Sequence, residues 1–204
     1  ESRSAEGKGD RLAGLAKELV QLRVDVIFAS TPHPALAAKQ ATSTTPIVFV
    51  VSDPVALGLV ASLSRPGGNA TGIAFEASLD QAGKQLEILK EAVPTASRVA
   101  IIRDARALLG AYAQVVEAAS QTLGVRFHRA FVREPVDFDE AFAGILQAQA
   151  DGVWVLGTPL VYAHRGRVAE FALKNRLPTF ANFREFVHAG GLISYGASLP
   201  DSYR

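Results

Sequence analysis

Cysteine is absent from the 204 residues, which removes disulfides, thiolate metal sites and a cysteine nucleophile together, without assigning a redox compartment. Methionine is missing too, even at position 1, so the chain reads as processed or as part of a longer one. Charge of neither sign is in excess. Twenty-one basic against 20 acidic residues leave a net charge of +1, with no electrostatic footprint for nucleic acid or an anionic membrane. No apolar run reaches the roughly 18 residues that span a bilayer, and Glu1-Ser-Arg-Ser-Ala-Glu-Gly7 is no signal peptide. Sequence repeats, low-complexity segments and charge runs are missing as well.

Hydrophobic residues, by contrast, make up 49% of the chain, ample for a packed core. The strongest apolar stretch is Pro46-Ile-Val-Phe-Val-Val-Ser-Asp53: five consecutive apolar residues, four of them β-branched, followed by small and acidic groups. This pattern predicts a parallel strand buried on both faces, with polar chemistry at its carboxyl end. The same pattern recurs at 24–29 before Ser30-Thr31-Pro32, at 99–102 before Arg103-Asp104, and at 153–156 before Gly157-Thr158-Pro159. Open α/β sheets bind ligands at this end of their strands, so the four strand ends form the candidate site.

Between the strands, helical periodicity predicts helices over 11–22 with Asp10 as N-cap, over 32–42, 57–63, 79–93, 107–123, 137–149 and 160–176. Further strands are predicted at 125–132 and 178–182. The breaker cluster Ser64-Arg-Pro-Gly-Gly68 and the weakly patterned Asn69–Phe75 read as the place where the chain leaves one block and crosses to another. Strict alternation of strand and helix implies parallel sheets covered by helices. The first block has only two strong strands, so its initial strand and helix are expected upstream of Glu1.

Motifs for chemistry are scarce. Pro66-Gly-Gly-Asn69 follows no strong strand and lacks the Lys-Ser/Thr of a phosphate loop. The histidines at 33, 128, 164 and 188 have no ligand spacing, and Gly-x-Ser-x-Gly does not occur. Asp53, Asp104 and Glu76 pair into no catalytic dyad. No enzyme activity, cofactor or metal is therefore expected. Ser30, Thr31, Ser52 and Thr158 offer hydroxyls near predicted helix starts, suited to a carboxylate, and Asp53 is suited to an ammonium group. The same residue types also cap helices without any ligand.

Three phrases go further: Pro46-Ile-Val-Phe-Val-Val-Ser-Asp-Pro-Val-Ala-Leu-Gly58 running on to Arg65-Pro-Gly-Gly-Asn-Ala-Thr-Gly72; Gln85-Leu-Glu-Ile-Leu-Lys-Glu-Ala-Val-Pro94; and Phe183-Arg-Glu-Phe-Val-His-Ala-Gly-Gly-Leu-Ile-Ser-Tyr-Gly196. Together they resemble the ABC-transporter substrate-binding protein family, whose members include tryptophan/tyrosine-binding lipoproteins. The resemblance implies an α/β, two-lobed type I periplasmic-binding-protein fold with parallel sheets, its first lobe incomplete, closing on a small ligand. The lobes implied are 1–76 and 77–192, with 193–204 as a return crossing. Carried over by position, Ser30, Thr31, Ser52 and Asp53 line the first lobe's side of the cleft. Arg103, Asp104, Thr158 and Asn182 line the second, and Phe75 and Tyr195 on the crossings form aromatic walls.

The function implied is the extracytoplasmic solute-binding component of an ABC importer, taking an aromatic or branched amino acid in the interlobe cleft. It would work with the permease membrane subunits, without nucleic acid, and would be periplasmic or lipid-anchored through a segment before Glu1, with no membrane insertion of its own. The alternative is a ligand-sensing effector domain of a regulator or signalling protein with the same fold.

Overall fold

All four apolar runs that end in turn-forming residues become parallel strands. The computed structural model describes residues 1–6, 8–75, 79–107 and 112–202, which pack as two units: Glu1–Ala77 with Pro200–Arg204, and Ser78–Leu199.

In the first unit a 3-10 turn at Gly9–Arg11 leads into α1 (Leu12–Gln21), followed by β1 (Ile27–Ala29), α2 (Pro32–Ala41), β2 (Ile47–Val51) and β3 (Ala70–Ala74). The sheet order is β1-β2-β3, all parallel. Ile27, Ala29, Ile47, Phe49 and Val51 point to one face and form a core with Ala35 and Ala38 of α2, with Leu19 and Val20 of α1 packed against it. That face reproduces the two-residue period of the strands. β3 runs in register with β2 over its whole length, Ile47 opposite Ala70 through Val51 opposite Ala74. Its residues Thr71, Gly72 and Ile73 are exposed, which is why the segment looks weakly patterned in sequence. Gly72 is obligatory, since a Cβ there would run into the carbonyl and ring of Phe49.

Two local expectations are corrected here. Residues 57–63 form turns, not a helix. Asp53 Oδ1 accepts the N–H groups of Val55 and Ala56, Gly58 takes a positive φ of 68°, and the N–H groups of Leu59 and Val60 both turn back to the Pro54 carbonyl. Lys39 Nζ then donates to the carbonyls of Gly58 and Leu59 at 2.7 and 2.8 Å. The segment is thus pinned with Leu59 and Val60 in the core. Asp10 is not the N-cap of α1. It lies inside the 3-10 turn, and the N-cap position belongs to Arg11, which makes no side-chain cap bond.

The second unit contains α3 (Leu79–Ala92), β4 (Arg98–Asp104), α4 (Tyr112–Leu123), β5 (Arg126–Val132), α5 (Asp137–Gln147), β6 (Gly152–Val155), α6 (Pro159–Ala163), α7 (Arg165–Lys174), β7 (Thr179–Ala181), α8 (Arg184–His188) and β8 (Ile193–Ser194). Its sheet order is β5-β4-β6-β7-β8, again all parallel. β4 and β6 are inner strands, and Val99 to Ile102 and Val153 to Val155 are buried, as continuous apolar runs require. One face of the sheet packs on α3 and α4 through Leu86, Leu89, Val99, Ile101, Trp154 and Phe180. Phe138, Ala141, Phe142 and Ile145 of α5 are also buried, and Phe142 stacks on Phe171 of α7 with centroids 4.1 Å apart.

The helix expected over 160–176 is divided. His164, at φ −102° and ψ 20°, separates α6 from α7, and its ring packs 5.1 Å from that of Phe138. The helix expected from 107 is described from Tyr112 on; residues 108–111 lie outside the described residues. Residues 193–204, expected as a return crossing, open with β8, which pairs with β7. A short helix, α9 (Leu199–Ser202), follows.

Candidate functional site

Parallel strands place all their carboxyl ends on one edge of a sheet, so each unit presents one such edge. In the first unit, Ser30 and Thr31 follow β1, Ser52 and Asp53 follow β2, and Phe75 follows β3. Thr31 is the N-cap of α2, extended at φ −147° and ψ 161°, and its side chain makes no cap bond, Pro32 being the first helical residue. Asp53 is half committed. Its Oδ1 accepts the Val55 and Ala56 N–H groups at 3.1 and 3.0 Å, the capping role weighed above, and neither bond uses Oδ2. Glu76 lies outside the described residues.

In the second unit the chain leaves β4 for β5 on one side and comes back to β6 on the other. The reversal puts a topological switch point at the carboxyl ends of β4 and β6, where open α/β sheets form their binding crevice. Arg103, Asp104, Gly157 and Thr158 stand there. The strand ends are tied together by side chains. The Asp104 N–H donates to Thr158 Oγ1 at 3.2 Å, and the Gly157 N–H donates to Asn182 Oδ1 at 2.8 Å. A Cβ at Gly157 would overlap the Phe183 ring and approach Asn182 Oδ1 to 2.7 Å, so only glycine allows β6 and β7 to end this close together.

Asp104 is buried at 9% exposure and is already neutralised. Arg106 grips it with Nε on Oδ1 at 3.1 Å and Nη2 on Oδ2 at 3.0 Å, and the Arg106 N–H adds a third bond. The Asp104 carboxylate in turn holds the Arg106 guanidinium above its usual pKa. Arg106 Nη2 also donates to the Arg133 carbonyl at 2.7 Å, joining this loop to the end of β5. Arg103, on the opposite face of β4, stacks on Phe131 with its guanidinium carbon 4.0 Å from the ring centre. Tyr195, 46% exposed, follows β8. Its N–H donates to the Ala181 carbonyl, and its own carbonyl accepts Gln85 Nε2 at 2.8 Å.

Within the second unit the structure thus joins Asp104 to Thr158 and Asn182 to Gly157, while Arg103 and Tyr195 make separate contacts. Sequence reasoning missed Arg106, the tight approach at Gly157 and buried Gln85, which is 1% exposed. The Arg106 grip had a signal, an Asp and an Arg two apart after a strand; the Gln85 contact, 110 residues long in sequence, had none. Among the described residues no group of three histidine or acidic side chains could hold a metal, and no helix is long and apolar enough to cross a membrane.

A family model for ABC transporter substrate binding proteins matches residues 1–201. The chain belongs to that family. The family binds solutes and does not transform them. A tyrosine-binding protein of Clostridioides difficile (strain R20291) is 28% identical over 196 residues, 89% of this chain and 52% of that protein. The chain therefore spans about half the length of this curated relative. Two solved structures share the fold. A conserved domain protein of Vibrio cholerae superposes with a TM-score of 0.79 at 24% identity, covering 93% of this chain and 63% of that one. An ABC domain in complex with L-Trp from Streptococcus pneumonia gives 0.78 at 21%, covering 95% and 66%. The fold is of the type I periplasmic-binding-protein class, of which this chain represents a part.

Proposed function

We propose that the full-length protein is the extracytoplasmic solute-binding component of an ABC importer and that its solute is an aromatic or branched amino acid. Family membership carries this reading. The tyrosine-binding relative and the L-Trp complex among the structures of the same fold support the amino-acid class. Each unit's sheet edge offers its own groups to the solute: in the first, the Ser30, Thr31 and Ser52 hydroxyls for its polar groups, Asp53 for its ammonium and Phe75 for its apolar body; in the second, the Thr158 hydroxyl and the Tyr195 ring. Asp104, occupied by Arg106, and Asn182, occupied by Gly157, shape the second edge more than they bind. The partners are permease membrane subunits.

Calorimetry on the full-length protein with L-tyrosine, L-tryptophan and L-leucine tests the proposal. Asp53→Asn keeps an oxygen to accept the Val55 and Ala56 N–H groups and removes the charge, so it is expected to weaken binding at least about tenfold, because a charge-assisted bond contributes roughly 1.5–3 kcal/mol. His128→Ala serves as the control and is expected to change affinity little. Wild-type protein that binds none of the three amino acids would overturn the proposed ligand class. Unchanged affinity in Asp53→Asn would restrict Asp53 to capping.

A further inference from the structure

Strand register decides the surroundings of Arg103. β4 and β5 pair with Arg103 opposite Phe131, so both side chains leave the sheet on the same face and the guanidinium lies flat on the ring. Stacking of this kind fixes the plane of the guanidinium and leaves its N–H edge open. Among the described residues, every hydrogen bond of the group leaves from one nitrogen. Nη1 donates to the carbonyls of Asp104 at 2.7 Å and Ala107 at 3.4 Å, which leaves Nε and Nη2, the two donors that face the same way, uncommitted.

The group is half-buried, yet no carboxylate among the described residues forms an ion pair with it, Asp104 having given both oxygens to Arg106. Burial, reinforced by the positive charge of Arg129, pushes the Arg103 guanidinium below its ordinary pKa, against the pull of Asp104. A partly desolvated, oriented cation without a counter-ion is an unfavourable arrangement that an incoming anion relieves. It stands beside the switch point at the ends of β4 and β6, where ligands of such sheets are received.

We infer that Arg103 is the carboxylate receptor of this protein, its Nε–Nη2 edge taking the carboxylate of the solute side-on while Phe131 holds the guanidinium in that orientation. The assignment rests on the solute-binding reading above. It goes beyond that reading by giving the negative end of the solute to a guanidinium on β4, with the hydroxyls left to the remaining polar groups.

The test uses the full-length protein and matched probes: whichever of L-tyrosine, L-tryptophan and L-leucine binds, and the amino alcohol of the same side chain, in which the carboxylate is a hydroxymethyl group. Wild type is expected to prefer the amino acid at least about tenfold, the range of a charge-assisted pair. Arg103→Gln is expected to bring the two probes within about threefold of each other, with the circular dichroism spectrum unchanged. Arg103→Lys, which keeps the charge and loses the fork, is expected to retain only part of the preference. Arg103→Gln with the full wild-type preference overturns the assignment and leaves amino-acid binding standing; should that variant not fold, an undiminished preference in Arg103→Lys overturns it. Wild type that binds no probe overturns the underlying reading itself.

Discussion

Asp151, in the turn before β6, fastens the starts of β4 and β6, and its removal has a calculable, pH-dependent cost. The carboxylate accepts the N–H groups of Ser97 and Arg98, each at 2.9 Å, the Ser97 hydroxyl at 3.1 Å, and Arg98 Nη2 at 3.3 Å. Led by the Ser97 N–H, these bonds outweigh burial and hold the carboxyl at about 2, against an unfolded value of about 3.9. Because the folded value is depressed, the stabilisation is fully present above about pH 4 and is lost as pH falls towards 2. The gap corresponds to at most about 2.5 kcal/mol. With the side chain 28% exposed, screening reduces that to roughly 1–2 kcal/mol. Asp151→Asn should therefore lower the urea-denaturation free energy of the full-length protein by about 1–2 kcal/mol at pH 7 and by less than half of that near pH 2.5. A penalty of the same size at both pH values would mean that shape rather than charge holds the junction. No penalty at pH 7 would refute the reasoning altogether.

The tight glycines make two further predictions. Gly157→Ala drives a methyl group into Phe183 and Asn182 and is expected to destabilise the protein by about 1–3 kcal/mol while also weakening amino-acid binding; thermal denaturation and calorimetry on one preparation check both, and an unchanged melting temperature counts against the close approach of β6 and β7. Gly72→Ala meets the Phe49 backbone, which cannot move aside without breaking the β2–β3 ladder, so about 3 kcal/mol or more is expected from steric overlap and lost hydrogen bonds. Wild-type stability in this variant would contradict the register of β3.

Apolar runs of four or five residues ending in Ser, Thr, Asp or Gly announce buried parallel strands, because a strand covered on both faces must be apolar throughout and its chain must then turn. Those runs were legible at β1, β2, β4 and β6, and with them the polar strand ends that make up most of the candidate site. The segment 57–63 misled because its apolar spacing also suits a helix. What overrides the spacing is the combination of Asp53, Gly58 and Lys39, which draws the backbone hydrogen bonds away from the helical pattern. β3 was obscured for the opposite reason: its exposed face carries no period, and only pairing with β2 reveals it as a strand.

At the site, the sequence by itself determined the class of architecture and the edge on which polar groups gather, since periodicity and turn chemistry act over a few neighbouring residues. Only the tertiary structure decided which of those groups are already spent and which remain open. Asp104 is taken by Arg106, and Asn182 reaches 25 residues back to Gly157. Arg103 meets Phe131 only because β4 and β5 pair in that register. The last two pairings bring together residues far apart along the chain, through a hydrogen bond and a ring contact that carry no local sequence signal.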